Sequence, residues 1–468
     1  MIKIQKSYFH RDPASFRDPS GFVFKQDGKI YRKVNPEYLA QYKHLMNSGL
    51  YEAMIKENLM VNHEEVDNDS DEGIVIHPEQ IPFISYPYEW SYEQYKDAAL
   101  TTLRIQLLAL KFEMVLKDAS AYNIQFTRAR PLLIDTLSFD MYTETPWVAY
   151  GQFCRHFFAP LLLMTYVDER LGKMMQTYID GIPIDLADSI LRGKGGFKTW
   201  QHIHLHAKAV KSYGEAGKSD KKPVKLVMKK NLLVSMISSL IRTIEKLKKK
   251  TKNTEWANYY SATNYDEVSA KHKETIIKKY LEGIRSIKIK LIWDFGANDG
   301  RYSRCALECG AEVIAFDIDH NAVDFNYAAA RKEKMKILPL LLDLTCPSPA
   351  IGFANKERNT IDGREKPDVV LMLAIIHHLA ISNNLPLKQI AEWTASFCKY
   401  LIIEFVPKDD SQVQTLLKTR IDIFPDYTVE GFEIAFSYHY QLCSKMNIEK
   451  SKRTLYLWGP KKNPEVFQ

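Results

Sequence analysis

Residues 288–468 carry five apolar runs, KLIWDF, EVIAFD, ILPLLLD, DVVLMLAII and YLIIEFV, with helical patterns between them. A strand with one wet face alternates polar and apolar residues, whereas a strand covered on both faces reads as a continuous apolar run. Continuous runs alternating with helices predict an α/β, doubly wound, Rossmann-like parallel sheet. The chain then closes with FEIAFSYHYQL and RTLYLWGP, read as two strands forming an antiparallel hairpin at one sheet edge.

A chain of 468 residues has room for two to three domains, since domains run to about 100–200 residues. Three regions are expected: an α+β domain over residues 1–190, a helical basic connector over 191–287, and the α/β domain over 288–468. In the first, FVFKQDGKIYRKV reads as two strands around an Asp27-Gly28 turn. The acidic stretch 63–73 reads as a surface loop, IPFISYPYEW as a strand, and Ser91 as the cap of a helix running through LTTLRIQLLALKF. No internal repeat is found.

Charge is unevenly spread. Residues 194–252 hold 16 Lys/Arg against three acids, a balance of +13, so the rest of the chain carries 7 − 13 = −6. Basic residues alternate with apolar ones in VKLVMKKNLLVSMISSLIRTIEKLKKK, the pattern of an amphipathic helix packed on one side. A solvated face is therefore favoured over a nucleic-acid or lipid surface. The longest apolar stretch, around Phe157 to Val167, is too short to span a bilayer. With no apolar leader at the start and six scattered cysteines (154, 305, 309, 346, 398 and 443), a reduced, cytoplasmic protein with free thiols is expected.

The first apolar run leads into Asp294-Phe295-Gly296-Ala297-Asn298-Asp299-Gly300. Glycine after a buried strand lets the backbone turn tightly and lets a ligand lie against bare peptide. The dinucleotide fingerprint would need glycines at 296, 298 and 301, and 298 is Asn while 301 is Arg, which disfavours a nicotinamide cofactor. Asp317 ends the second run, 17 residues after Gly300, where an acid chelates ribose hydroxyls. Asp343 ends the third, able to accept from an exocyclic amine. Three carboxylates at successive strand ends repel a phosphate-rich nucleotide but suit a nucleoside with a cationic centre.

These residues resemble the class I S-adenosylmethionine-dependent methyltransferases. DFGANDG is similar to the family's D-x-G-x-G-x-G loop, with Asn298 in place of the middle glycine; Asn tolerates left-handed backbone. The resemblance implies S-adenosyl-L-methionine as cofactor, held by Asp294, Phe295, Gly296, Ala297, Asn298, Gly300, Asp317, Ile318, Asp343 and Leu344. His377 and His378, in the fourth-strand motif DVVLMLAIIHHL, are candidate catalytic residues, because a neutral imidazole can take a proton near pH 7. Glu404, Asn383 and Asn384 are weaker candidates for the substrate rim. The aromatic run WANYYSATNYDE reads as packing or as a lid, and His202, His204 and His206 as structural. No metal site is expected.

In the N-terminal half, Asp118 and Asn123, followed twelve residues later by Asp135, resemble the catalytic loop and metal-binding Asp of kinase-like phosphotransferases. There is no Gly-rich loop, Lys117 stands where Arg usually precedes the Asp, and the strand cation is Arg32 or Lys33. The region thus reads as a degenerate kinase-like domain. Taken whole, the chain resembles the NoeA-type nodulation host-specificity, methyltransferase-like family, through LKDASAYNIQF, PWVAYGQFCRHFFAPL, IIHHLAISNNLPL, IIEFVPKDDSQVQ and DIFPDYT.

The expected function is methyl transfer to an unidentified acceptor, with a small molecule, glycan or lipid-linked group preferred and the N-terminal domain recognising substrate. The alternatives are a phosphotransferase with an appended cofactor-binding domain, a non-catalytic cofactor-binding regulator, and an RNA methyltransferase. IIHHL lacks the Asn-Pro-Pro-aromatic loop of enzymes that methylate a flipped base, which weighs against nucleic acid.

Overall fold

Asp27 and Gly28 both take positive φ, 50° and 73°, the geometry of a two-residue turn that matches the twist of its strands. They join β2 (Gly21–Gln26) to β3 (Lys29–Val34). In the computed structural model, which describes residues 10–66, 73–192, 227–249, 267–285, 287–418 and 420–461, the chain divides into two units. The first holds residues 1–251 together with Ala350–Arg358, and the second holds 252–349 and 359–468.

In the first unit, β1 (His10–Arg11), β2, β3, β4 (His63–Val66) and β5 (Ile74–Pro78) form an antiparallel sheet in the order β1-β2-β3-β5-β4. The start of the acidic stretch is therefore a strand and not a loop. His63 is buried there beside the Tyr42 hydroxyl, which anchors the run against the Leu39–Asn47 helix. Residues 67–72 of that stretch lie outside the described residues.

IPFISYPYEW is not a strand either. Pro82 and Pro87 have no ladder donor, and Pro87 opens a single helical turn, Pro87–Glu89, whose Glu89 carboxylate accepts from the Tyr86 N–H at 2.9 Å. The helix expected after Ser91 runs Tyr92–Lys111, and Gln94 Oε1 accepts from the Ser91 N–H at 3.0 Å. Two short antiparallel pairs follow: β6 (Met114–Leu116) with β9 (Phe139–Met141), and β7 (Ile124–Thr127) with β8 (Arg130–Leu133).

Lys230–Lys246 is helical, as the alternation predicted, and its Leu233, Ile237, Leu240 and Ile244 are buried against the Tyr92–Lys111 helix. The three alternating histidines, the aromatic run 256–265 and most of the basic stretch lie outside the described residues.

The second unit is built on a seven-stranded sheet, β10 (Leu291–Phe295), β11 (Glu312–Asp317), β12 (Ile337–Leu341), β13 (Val369–Met372), β14 (Tyr400–Phe405), β15 (Tyr440–Asn447) and β16 (Thr454–Pro460). Its order is β12-β11-β10-β13-β14-β16-β15. The first five strands are parallel, and β16 and β15 add the antiparallel hairpin. The order reverses at β10, which puts the ligand crevice at the carboxyl ends of β10 and its neighbours.

FEIAFS, read as strand, is helix Val429–Ser437; Thr428 caps it, and Phe432, Ala435 and Phe436 recur at helical spacing into the core. The Glu267–Gly283 helix packs on the Arg301–Ala306 helix that follows the glycine loop. No helix among the described residues is long and apolar enough to cross a membrane.

Candidate functional site

Three alternate residues of the loop after β10 take left-handed backbone: Gly296 at φ 71°, Asn298 at 49° and Gly300 at 80°. At Gly296 an added Cβ would lie 2.3 Å from Ile375 Cγ2, and at Gly300 2.4 Å from Asn326 Oδ1, so neither position has room for a side chain. Asn298, the departure from an all-glycine pattern, holds the same conformation with a side chain that tolerates it. The N–H groups of Gly296 and Ala297 both donate to the Phe316 carbonyl at 2.9 Å, hooking the loop to the end of β11.

Of the three acids expected around this loop, Asp317 bonds it directly and Asp294 lies beside Asp317, while Asp343 bonds only its own turn. Asp294 is 1% exposed and accepts from Ser303 Oγ at 2.6 Å. Burial pushes its carboxyl up to about 7, with the Ser303 hydroxyl and the nearby Lys273 ammonium pulling the other way. Asp317 accepts from the Asn298 N–H at 2.7 Å and the Asp319 N–H at 2.9 Å. Burial raises it to about 6 against those two bonds. Asp343 is half-buried, and its Oδ1 accepts from both the N–H and the hydroxyl of Thr345.

Ile318 follows Asp317 with an apolar side chain 58% exposed, while Leu344 is half-buried. Phe295 and Ala297 are buried; the Phe295 ring stacks on Trp393 in the core, so only its backbone is offered to the crevice.

His377 is wholly buried, and neither ring nitrogen has a hydrogen-bond partner among the described residues. His378 is half-buried, with ring centroids 4.1 Å apart between the two. Burial, with the Arg453 guanidinium nearby, lowers His378 to about 4 and His377 well below its ordinary value. Both are neutral at physiological pH. Asn383 is exposed and its side-chain amide donates to the His378 carbonyl, while Asn384 accepts from Arg420.

Glu404 does not reach a rim. It is fully buried, pairing with Lys273 of the Glu267–Gly283 helix and, at 3.3 Å, with Arg453, whose guanidinium also holds Asp410 at 2.8 Å. Sequence reading missed Lys273, Arg453, Asp410 and Ser303. The one local signal was Ser303, nine residues after Asp294 on the helix that the glycine loop starts.

In the first unit Asp118, Asn123 and Asp135 also come together. Asp118 accepts from Gln152 Nε2 at 2.7 Å and the Ser120 N–H at 3.0 Å. Burial first and the neighbouring Asp135 second raise its carboxyl, against hydrogen bonds that include one from Asn123. Asp135 is paired to Arg32 at 2.8 Å, and Arg32 also reaches Asp18 at 3.1 Å. No cluster of three or more His, Cys, Asp or Glu able to hold a metal is found among the described residues.

No family model matches the sequence. Among solved structures, the N-methyltransferase NodS from Bradyrhizobium japonicum WM9 is 9% identical, with 42% of this chain and 99% of that chain covered at a TM-score of 0.31. Magnesium protoporphyrin IX methyltransferase (ChlM) from Synechocystis PCC 6803 with bound SAH is 16% identical, with 44% and 93% covered at 0.31. The sequence itself reaches further. Nodulation protein NoeA of Rhizobium meliloti (strain 1021) is 34% identical over 458 residues, 95% of each chain. An alignment that runs through both units at that identity makes this chain a member of the NoeA family of nodulation proteins.

Proposed function

We propose that the chain is an S-adenosylmethionine-dependent methyltransferase acting from its second unit. The observation that carries this reading is the loop Gly296–Gly300, left-handed at every second residue and flanked by Asp294 and Asp317 at the ends of adjacent parallel strands. Such a cradle presents bare backbone to a ligand, and its carboxylates favour a nucleoside with a cationic end. The donor set fits S-adenosylmethionine. Asp294 takes the ammonium of the methionine end, Asp317 the ribose hydroxyls and Asp343 the exocyclic amine, with Ile318 and Leu344 against the base.

When bound, this cofactor supplies an electrophilic methyl group on a positively charged sulfur. The protein's part is to align an acceptor and remove its proton. His378, half-buried and neutral above about pH 4, is the better placed base. His377, wholly buried, braces the turn after β13. The first unit serves recognition of the rest of the acceptor molecule, beyond the group that is methylated. Calorimetric titration with S-adenosylmethionine tests the reading: binding by the wild type that is lost in Asp317→Ala supports it, and no binding by the folded wild type overturns it.

A second reading, phosphoryl transfer in the first unit, is favoured by the convergence of Asp118, Asn123 and Asp135. Against it stands Arg32, whose guanidinium occupies Asp135, where a divalent cation would have to bind. Turnover of ATP with Mg²⁺, abolished by Asp118→Asn, would establish this activity.

A further inference from the structure

A cavity of about 270 Å³ opens in the second unit where the loop after β14 meets the β15–β16 turn. Strand register places it on the same edge as the glycine loop. Phe295 pairs with Met372, Met372 with Ile403, and Ile403 with Tyr456. Arg453, on the cavity wall, directly precedes Thr454, the first residue of β16. Three strand spacings separate β10 from β16, about 14 Å.

All eight residues lining the cavity are polar or charged. Its inner wall is Arg453, 3% exposed and fixed by Asp410 and by Glu404, itself held by Lys273. Two cations and two carboxylates thus form a neutral set, buried except for the partly exposed Asp410. The outer wall carries the exposed Asp409–Lys452 pair, at 2.6 Å, and Ser411. The same Arg453 lowers both imidazoles after β13, so the guanidinium that lines the cavity lies within electrostatic reach of the candidate base.

From this geometry we infer that the cavity is the acceptor pocket and that it takes an uncharged, polyhydroxylated group, such as a sugar ring; the inference rests on the methyltransferase reading. The chemistry follows from the Asp409–Lys452 and Asp410–Arg453 pairs, which are already neutral, with Lys450 as the one further charged residue of the lining. A hydroxyl donates to a carboxylate while accepting from a guanidinium or ammonium, so it joins such a pair without separating it. A charged ligand must compete with one partner, which leaves the other uncompensated. With no apolar side chain on the wall, a flat hydrophobic acceptor finds no surface to cover.

The test is ligand-observed saturation-transfer NMR on the full chain loaded with S-adenosylhomocysteine. The probes are neutral methyl hexosides, the matching hexose phosphates, and inorganic phosphate through ³¹P line broadening. Expected is transfer to neutral hexosides that falls at least five-fold in Asp409→Ala/Lys452→Ala and in Ser411→Ala, with cofactor affinity unchanged. The three side chains replaced are surface groups, so folding is preserved, as circular dichroism would check. Signals from the phosphates alone would overturn the uncharged class. No signal from any probe, in protein that binds the cofactor, would overturn the cavity as acceptor pocket. Absence of cofactor binding by folded protein would instead overturn the methyltransferase reading itself.

Discussion

The backbone N–H of Asn298 donates to Asp317 Oδ2 at 2.7 Å, so the acid ending β11 also holds the loop after β10 in shape. The two sequence signals that read as separate ligand contacts are one structure.

Asp317→Ala is therefore expected to weaken S-adenosylmethionine more than a lost ribose contact would. A hydrogen bond to a charged group is worth about 1.5–3 kcal/mol, which corresponds to roughly 10–150-fold in affinity. Asp317→Asn, which can keep an acceptor toward Asn298, should lose less. Calorimetry on the two variants checks the ordering, and equal losses would refute the double role.

Asp294 should make cofactor affinity rise with pH. Its folded carboxyl titrates at about 7, against about 3.9 in an unfolded chain. Between those values the native protein binds the extra proton, so the unliganded protein loses stability as pH rises from about 4 to 7. A cationic ligand needs the carboxylate, so binding strengthens over the approach to pH 7 and releases a proton. Calorimetry in buffers of different ionisation enthalpy measures that release. Asp294→Asn should abolish it, and Ser303→Ala should move the transition upward by removing a donor to the carboxylate.

If His378 is the base, the acid limb of its pH–rate profile falls near 4 and not near 6.5, because the folded imidazole is lowered to about 4. Any limb near 7 then belongs to Asp294 and appears in cofactor binding as well. Rates measured at saturating cofactor separate the two. His378→Ala should cost about 10²–10⁴-fold in kcat, while His377→Phe should act mainly on stability.

Gly300→Ala and Asn298→Gly should differ in size. At Gly300 the new methyl meets Asn326 Oδ1 at 2.4 Å, at φ 80°, and a loss of about 1–3 kcal/mol is expected. At Asn298 the glycine relieves left-handed strain while adding freedom to the unfolded chain, and the net change stays within about 1 kcal/mol. Urea denaturation of both variants checks this.

Arg17 donates to both carboxylate oxygens of Glu357, at 2.7 and 2.8 Å. Arg17→Ala should destabilise the first unit by about 1 kcal/mol, the low end for a pair whose arginine is half exposed. The arginine holds Glu357 below its ordinary value, so the contribution is present above about pH 4.3 and fades as acid titrates the folded carboxylate. Wild type and variant should thus converge in denaturation curves once the pH falls below the lowered titration of the folded carboxylate.

What was legible in the sequence was local. Five apolar runs became five parallel strands, and DFGANDG declared its turn, because strand burial and positive φ are properties of a few consecutive residues. What failed depended on distant partners. Val429–Ser437 is helical because Phe432, Ala435 and Phe436 share one buried face, which a short apolar run does not announce. Glu404 looked like a rim residue because its two partners, Lys273 and Arg453, lie 131 and 49 positions away. No spacing rule connects them.

The nine residues Ala350–Arg358 belong to the first unit although the chain on either side of them builds the second. They bring the carboxylate that Arg17 binds and the Arg358 guanidinium 4.2 Å over the Tyr122 ring. A gene cut between codons 251 and 252 would thus yield no clean halves. The amino-terminal product would be born with an arginine left only its longer contact to Asp180 and with an uncovered tyrosine face, and the carboxy-terminal one with a displaced finger bearing Phe353. Recombination that shuffles whole domains would suffer the same damage. The stitched segment makes the two units one heritable piece, and the relative aligned over 95% of both chains spans both of them.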